Sequence, residues 1–201
     1  MEYVPGKTAG EWLDSIKNED SPGRDSIYRQ IAFALSELHR IPVPPESRPA
    51  AAGGGRIRHS LFDLQEAPRH YQNVTQLEDH LNLFLTITKR KHRVQDLSRE
   101  PMVFCYSDVW LGNFTIDEDG RLTVIDFADS SILLSSFSKF VLLDWEKIKR
   151  DISALVKVPT TDGVDNTLAL CTAAGPMVMG PSSFVTTGRR ILGGEMEMKP
   201  V

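Results

Sequence analysis

Residues 104–130 read FCYSDVWLGNFTIDEDGRLTVIDFADS. Asp108 is followed five positions later by Asn113, then by an acidic turn, then by Asp126 after an apolar run. Two carboxylates and an amide are groups that phosphoryl transfer to a hydroxyl can use. One carboxylate accepts or orients the hydroxyl proton. Magnesium bridges the nucleotide phosphates and takes hard oxygen ligands, which a carboxylate and an amide oxygen supply. Such chemistry demands that the groups be held close together, because positioning and electrostatics do most of the catalysis. The plain alternative is a hairpin with polar ends, since Asp and Asn favour turns for local hydrogen-bonding reasons. For Glu118 and Asp119 that alternative is preferred. A hydrolase with Asp108 and Asp126 as paired carboxylates leaves Asn113 without a task.

The elements that must position these residues follow from local patterning. Residues 102–105 are a short apolar strand, and Asp108 lies in the loop after it. Residues 113–116 and 122–127 are two further strands. Between them, 117–121 form a turn in which Gly120 is free to take a positive φ. A hairpin brings its ends together. Asn113 and Asp126 are therefore expected to face each other, with Asp108 nearby.

The rest of the chain is largely helical. Thr8 and Glu11 have capping-box spacing ahead of a helix over 8–17. Ile27, Ile31, Ala34, Leu35 and Leu38 form the stripe of a helix over 25–40, ended by Ile41-Pro42. Residues 42–58 are rich in Pro, Ala and Gly and predict an exposed loop. Leu77, Leu81, Phe84, Leu85 and Thr88 mark a helix over 77–91, and the basic cluster 89–93 suits its C-terminal dipole. Phe137, Phe140, Val141, Trp145, Ile148 and Ile152 predict a helix over 137–152, and a shorter helix is expected near 165–174. The tail from Gly193 looks frayed. The fold class expected is mainly α with a small β-hairpin sheet, an α+β arrangement. Too few strands are present for a doubly wound parallel sheet.

Bulk properties narrow the function. A chain of 201 residues predicts one domain. A net charge of -4 argues against a nucleic-acid partner. Cys105 and Cys171 make neither a disulfide framework nor a zinc pattern, which favours a reducing location. No apolar run is long enough to span a membrane. The segment MEYVPGKTAGEW has neither a basic leader nor an apolar stretch of the kind a signal peptide needs. The location expected is cytoplasmic, with no membrane partner.

The pattern Asp108-x-x-x-x-Asn113, then strand, turn, strand and Ile125-Asp126-Phe127, resembles the aminoglycoside phosphotransferase and choline kinase branch of the protein kinase-like fold. The helix end Leu38-His39-Arg40-Ile41-Pro42 resembles that family's helix ending in a Leu-His pair. The overlap runs roughly over 1–145. The resemblance implies Asp108 as catalytic base, Asn113 and Asp126 as magnesium ligands, ATP as phosphate donor and a small-molecule hydroxyl as acceptor. Tyr106 stands where the family usually has a histidine of mainly structural use, and Ala128 where it often has glycine. No Ala-Pro-Glu signature follows Asp126, which speaks against a protein kinase.

The resemblance also implies an N-terminal lobe carrying a glycine-rich phosphate loop and a nucleotide-binding lysine. Neither pattern occurs in order before Asp108. The chain thus reads as the C-terminal lobe. Residues 1–7 resemble the hinge, whose backbone near Glu2 and Val4 would meet adenine. Residues 8–158 would be the lobe itself, and 159–201 a helical or irregular extension of it. Impaired turnover follows from that reading. The alternative is an inactive lobe that acts as a binding or interaction module, with an open apolar face around the hinge and residues 27–38.

Overall fold

The computed structural model describes residues 4–18 and 21–178. The expected hinge contact at Glu2 and the tail from Gly193 lie outside those residues. The elements run β1 (Lys7–Thr8), α1 (Ala9–Ser15), α2 (Pro22–Leu38), β2 (Ala50–Ala51), α3 (Val74–Ile87), β3 (Met102–Tyr106), β4 (Phe114–Ile116), β5 (Leu122–Val124), β6 (Ser130–Leu134), α4 (Ser135–Leu142) and α5 (Thr167–Val178). Short 3-10 turns link several of them. The α+β class is as expected.

Local chemistry starts the helices. Thr8 caps α1 by accepting from the Glu11 amide, while the Glu11 side chain accepts from the Thr8 amide, a complete capping box. Ser21 caps α2, and Pro22 occupies the first turn, where its missing N–H costs nothing. The Asn73 side chain accepts from the Gln76 amide at 2.9 Å and caps α3.

The strands form two three-stranded antiparallel sheets among the described residues, rather than the single hairpin sheet foreseen. One has the order β1-β4-β5, with Phe114 opposite Val124 and Thr8 opposite Thr115. The other has the order β2-β6-β3, with Tyr106 opposite Ser130 and Ala51 opposite Ser131. Several expectations change here: the strand over 122–127 stops at Val124, so Asp126 lies beyond it, and the helix over 77–91 runs over Val74–Ile87. The segment 42–58 is mostly exposed, yet it buries Pro49 and Ile57 and supplies β2. The helix over 137–152 stops at Leu142: Asp144 leaves helical geometry, a 3-10 turn follows over Trp145–Ile148, and Lys149 turns left-handed at φ 61°. Ile148 and Ile152 are nevertheless buried, in the cluster that holds α1 and α2. Trp145 is 49% exposed.

Two apolar clusters fill the interior. One gathers α3, α5 and α4 with Ile57, Leu61, Phe62 and Tyr71. The other gathers α1 and α2 with Tyr106, Leu111, Phe114 and Ile116. Strand alternation places β3 between them: Cys105 faces the first, while Phe104 and Tyr106 face the second. Burial pushes the Cys105 thiol up to about 12, so it behaves as an inert apolar side chain. Each fully buried Leu or Phe in these clusters contributes about 1.5–3 kcal/mol of transfer free energy.

Candidate active site

The two sheets meet at one end, and the three candidate residues lie at that junction. Below Tyr106 the second sheet continues as one more backbone bond, from the Ser107 amide to the Asp129 carbonyl at 3.0 Å. Beyond Phe114 the first sheet continues likewise, from the Ile125 amide to the Asn113 carbonyl at 2.9 Å. The loop 107–113 and the turn 125–129 are thus tied at both ends. The far turn of the hairpin is closed by Gly120 at φ 76°, with the Asp117 side chain accepting from the Arg121 amide at 2.8 Å. That turn takes no part in the junction.

Asp108 and Asn113 are in direct contact. The Asn113 amide nitrogen donates to the Asp108 carboxylate at 2.7 Å and to the Asp108 carbonyl at 3.0 Å. Asn113 is buried and Asp108 half-buried. With its nitrogen so used, the amide presents Oδ1 as its remaining polar atom. The backbone between them is a tight wrap, with the Trp110 amide donating to the Asp108 carbonyl and the Asn113 amide to the Trp110 carbonyl, each at 2.9 Å. The Trp110 ring lies over Gly112 in this wrap, where a Cβ would displace it. Trp110 remains 55% exposed beside Asp108.

Asp126 follows Ile125 directly, so the bond to Asn113 brings it to the same junction. It is exposed and left-handed, at φ 57°. Asp tolerates that region better than most residues, because its short polar side chain bonds locally. Here Asp126 Oδ1 accepts from the Ala128 amide at 3.3 Å. Among the described residues no cation pairs with the carboxylate of Asp108 or of Asp126.

Tyr106 braces the arrangement from below. Its hydroxyl donates to the Ile125 carbonyl at 2.8 Å, and its ring meets Phe127 and Phe114 edge-on. Burial raises its pKa first and the Asp108 charge second; Asn113 opposes, and Asp126 and Asp129 add smaller upward effects. The phenol therefore stays a neutral donor.

Among the described residues no group of three or more His, Cys, Asp or Glu could hold a metal by itself. The donor set nevertheless fits magnesium. That ion keeps several waters and commonly takes one or two carboxylates with phosphate oxygens rather than a full protein cage. Asp126 and the Asn113 amide oxygen are the residues that could hold it. Val4 lies half-buried ahead of β1, and no hydrogen bond among the described residues joins it to the three.

Two residues escaped the sequence reading. Arg58 binds Asp129 through Nε at 3.0 Å and through its terminal nitrogen at 2.9 Å. Ser107 donates its hydroxyl to the Asp129 carbonyl at 2.6 Å. The only local signal was the apolar Ile57 between Arg56 and Arg58, which is strand-like alternation inside a stretch dominated by Gly and Pro. Asp129 is half-buried and paired with Arg58.

A model of the phosphotransferase enzyme family matches residues 1–133, the stretch that contains Asp108, Asn113 and Asp126. The chain belongs to that family. No curated protein matches the chain.

Proposed function

We propose that this protein carries the base and metal-binding side of a phosphotransferase that moves the terminal phosphate of ATP to a hydroxyl of a small molecule. One observation carries the reading. The Asn113 side-chain nitrogen donates to the Asp108 carboxylate at 2.7 Å, while the Asn113 backbone carbonyl accepts from the amide of Ile125, the residue before Asp126. A base and two oxygen ligands thereby share one rigid frame. Asp108 accepts the proton of the acceptor hydroxyl with the carboxylate oxygen that Asn113 leaves free. Asp126 and Asn113 Oδ1 would hold magnesium, which would supply charge neutralisation on the phosphates. Backbone near Glu2 and Val4 meets adenine in this reading, and the setting is cytoplasmic.

A non-catalytic binding module is less well supported. It calls for an open apolar face around the hinge and residues 27–38, where Ile27, Ile31 and Leu35 are buried in the chain's own core and Phe33 is 67% exposed. Among the described residues no helix is long and apolar enough to cross a membrane.

The test is transfer of labelled terminal phosphate from magnesium ATP to a panel of amino sugars and amino alcohols. Asp108→Asn preserves shape and removes the base. It should lower transfer by about 100-fold or more, the usual contribution of a positioned general base. Transfer that survives the substitution at full rate contradicts the role given to Asp108.

A further inference from the structure

The turn 125–129 carries Asp126, yet the Asp126 side chain has little to hold it. It is exposed, left-handed and bonded by one long contact from the Ala128 amide. The start of the turn is tied to Asn113. What fixes its end is Asp129, and Asp129 is held from a segment 71 residues away.

We infer that Arg58 is a positioning residue for the magnesium ligand Asp126 and the base Asp108, acting through Asp129 and Ser107. The inference rests on the reading of the site given above. Arg58 meets one oxygen of the Asp129 carboxylate, Oδ1, with two nitrogens, at 3.0 and 2.9 Å, and its third nitrogen reaches Glu66 at 3.1 Å. Two charge-assisted N–H donors converging on one oxygen fix its position more closely than one would. The Asp129 carbonyl in turn receives both the amide and the hydroxyl of Ser107, the residue before Asp108. One cation therefore bears on both chemical loops.

Arg58 is itself anchored, which a tether must be. Its amide donates to the Ser131 hydroxyl at 2.8 Å, and that hydroxyl donates back to the Arg58 carbonyl at 3.0 Å. Its neighbours Ile57 and His59 are both fully buried. His59 accepts the Leu61 amide on Nδ1, so Nε2 carries the proton and donates to the Phe137 carbonyl at 3.2 Å. Arg58 also neutralises one of three carboxylates at the junction. That keeps Asp129 paired and off the cation, and leaves Asp108 and Asp126 for chemistry. An ion pair of this exposure adds little to global stability, so its value is geometric.

The experiment compares the full chain with Arg58→Gln, Arg58→Lys and Asp129→Asn. Amide hydrogen exchange is read over 104–110 and 125–131, with α3 as internal control. Magnesium ATP binding is read as the magnesium concentration at half-saturation. In Arg58→Gln, exchange should quicken by about tenfold in those two segments and stay unchanged in α3. Half-saturation should need roughly 10-fold more magnesium, the usual cost of losing a group that orients a metal ligand. Arg58→Lys, which cannot grip with two nitrogens, should fall between, and Asp129→Asn should match Arg58→Gln. If the wild type binds magnesium ATP and the variants bind with the same magnesium dependence, Arg58 has no positioning role. If the wild type binds none, the reading of the site fails and the role falls with it; exchange alone then still reports whether Arg58 holds the turn.

Discussion

At the residue scale, Tyr106 shows how a substitution at a structural position can be absorbed. The family resemblance places a histidine there, and the phenol does an equivalent job by donating to the Ile125 carbonyl at 2.8 Å. Tyr106→Phe keeps the ring contacts and deletes only that bond. It should cost about 1 kcal/mol, and somewhat more because a partly buried carbonyl is left without its donor. Urea denaturation measures this directly, and an unchanged midpoint would show that the bond is idle. The grouping of Asp108, Asn113 and Asp126 at one junction was readable from type and spacing, because Asp-x-x-x-x-Asn ahead of a hairpin is a local pattern. Arg58 was not. Its partner lies 71 positions away, and a single ion pair across that distance leaves no periodic trace in the chain.

At the element scale, helices were legible where apolar spacing and caps agreed, as in α2, α3 and the Thr8–Glu11 box. The strands that long-range pairing creates were not. β1 and β2 are two residues each and exist only because Ile116 and Ser131 lie opposite them. β6 was hidden because SSILLSSF runs from strand into helix with no turn residue between. The 56–66 segment, which delivers Arg58, is pinned by His59, and this gives the fold a pH dependence. Burial lowers the His59 pKa to about 4, with the Phe137 carbonyl opposing and the Lys147 charge adding to the fall. The unfolded chain binds that proton near pH 6.5, so the unfolded state is the more protonated one between the two values. The contribution is therefore complete above about pH 6.5 and is lost as pH falls toward 4. Buried His39, also lowered, acts in the same direction. Stability should drop by about 2 kcal/mol between pH 7 and pH 5 from His59 alone. Denaturant melts at the two pH values check this. A flat profile would show that His59 is not held neutral in the fold.

At the scale of the whole molecule, β3 divides two apolar clusters and projects Asp108 past the end of both sheets. Asp108, Asn113 and Asp126 thereby sit at the rim of a junction whose loop and turn are tied by backbone bonds at both ends. The central claim is that this rim binds magnesium and nucleotide together. Calorimetric titration of ATP into the wild type and into Asp126→Asn, each with and without magnesium, tests it most directly. The account predicts binding by the wild type that strengthens when magnesium is present, and an Asp126→Asn variant that loses the magnesium-dependent part while staying folded. Equal ATP affinity in all four titrations, or no binding by the wild type at millimolar nucleotide, would contradict it.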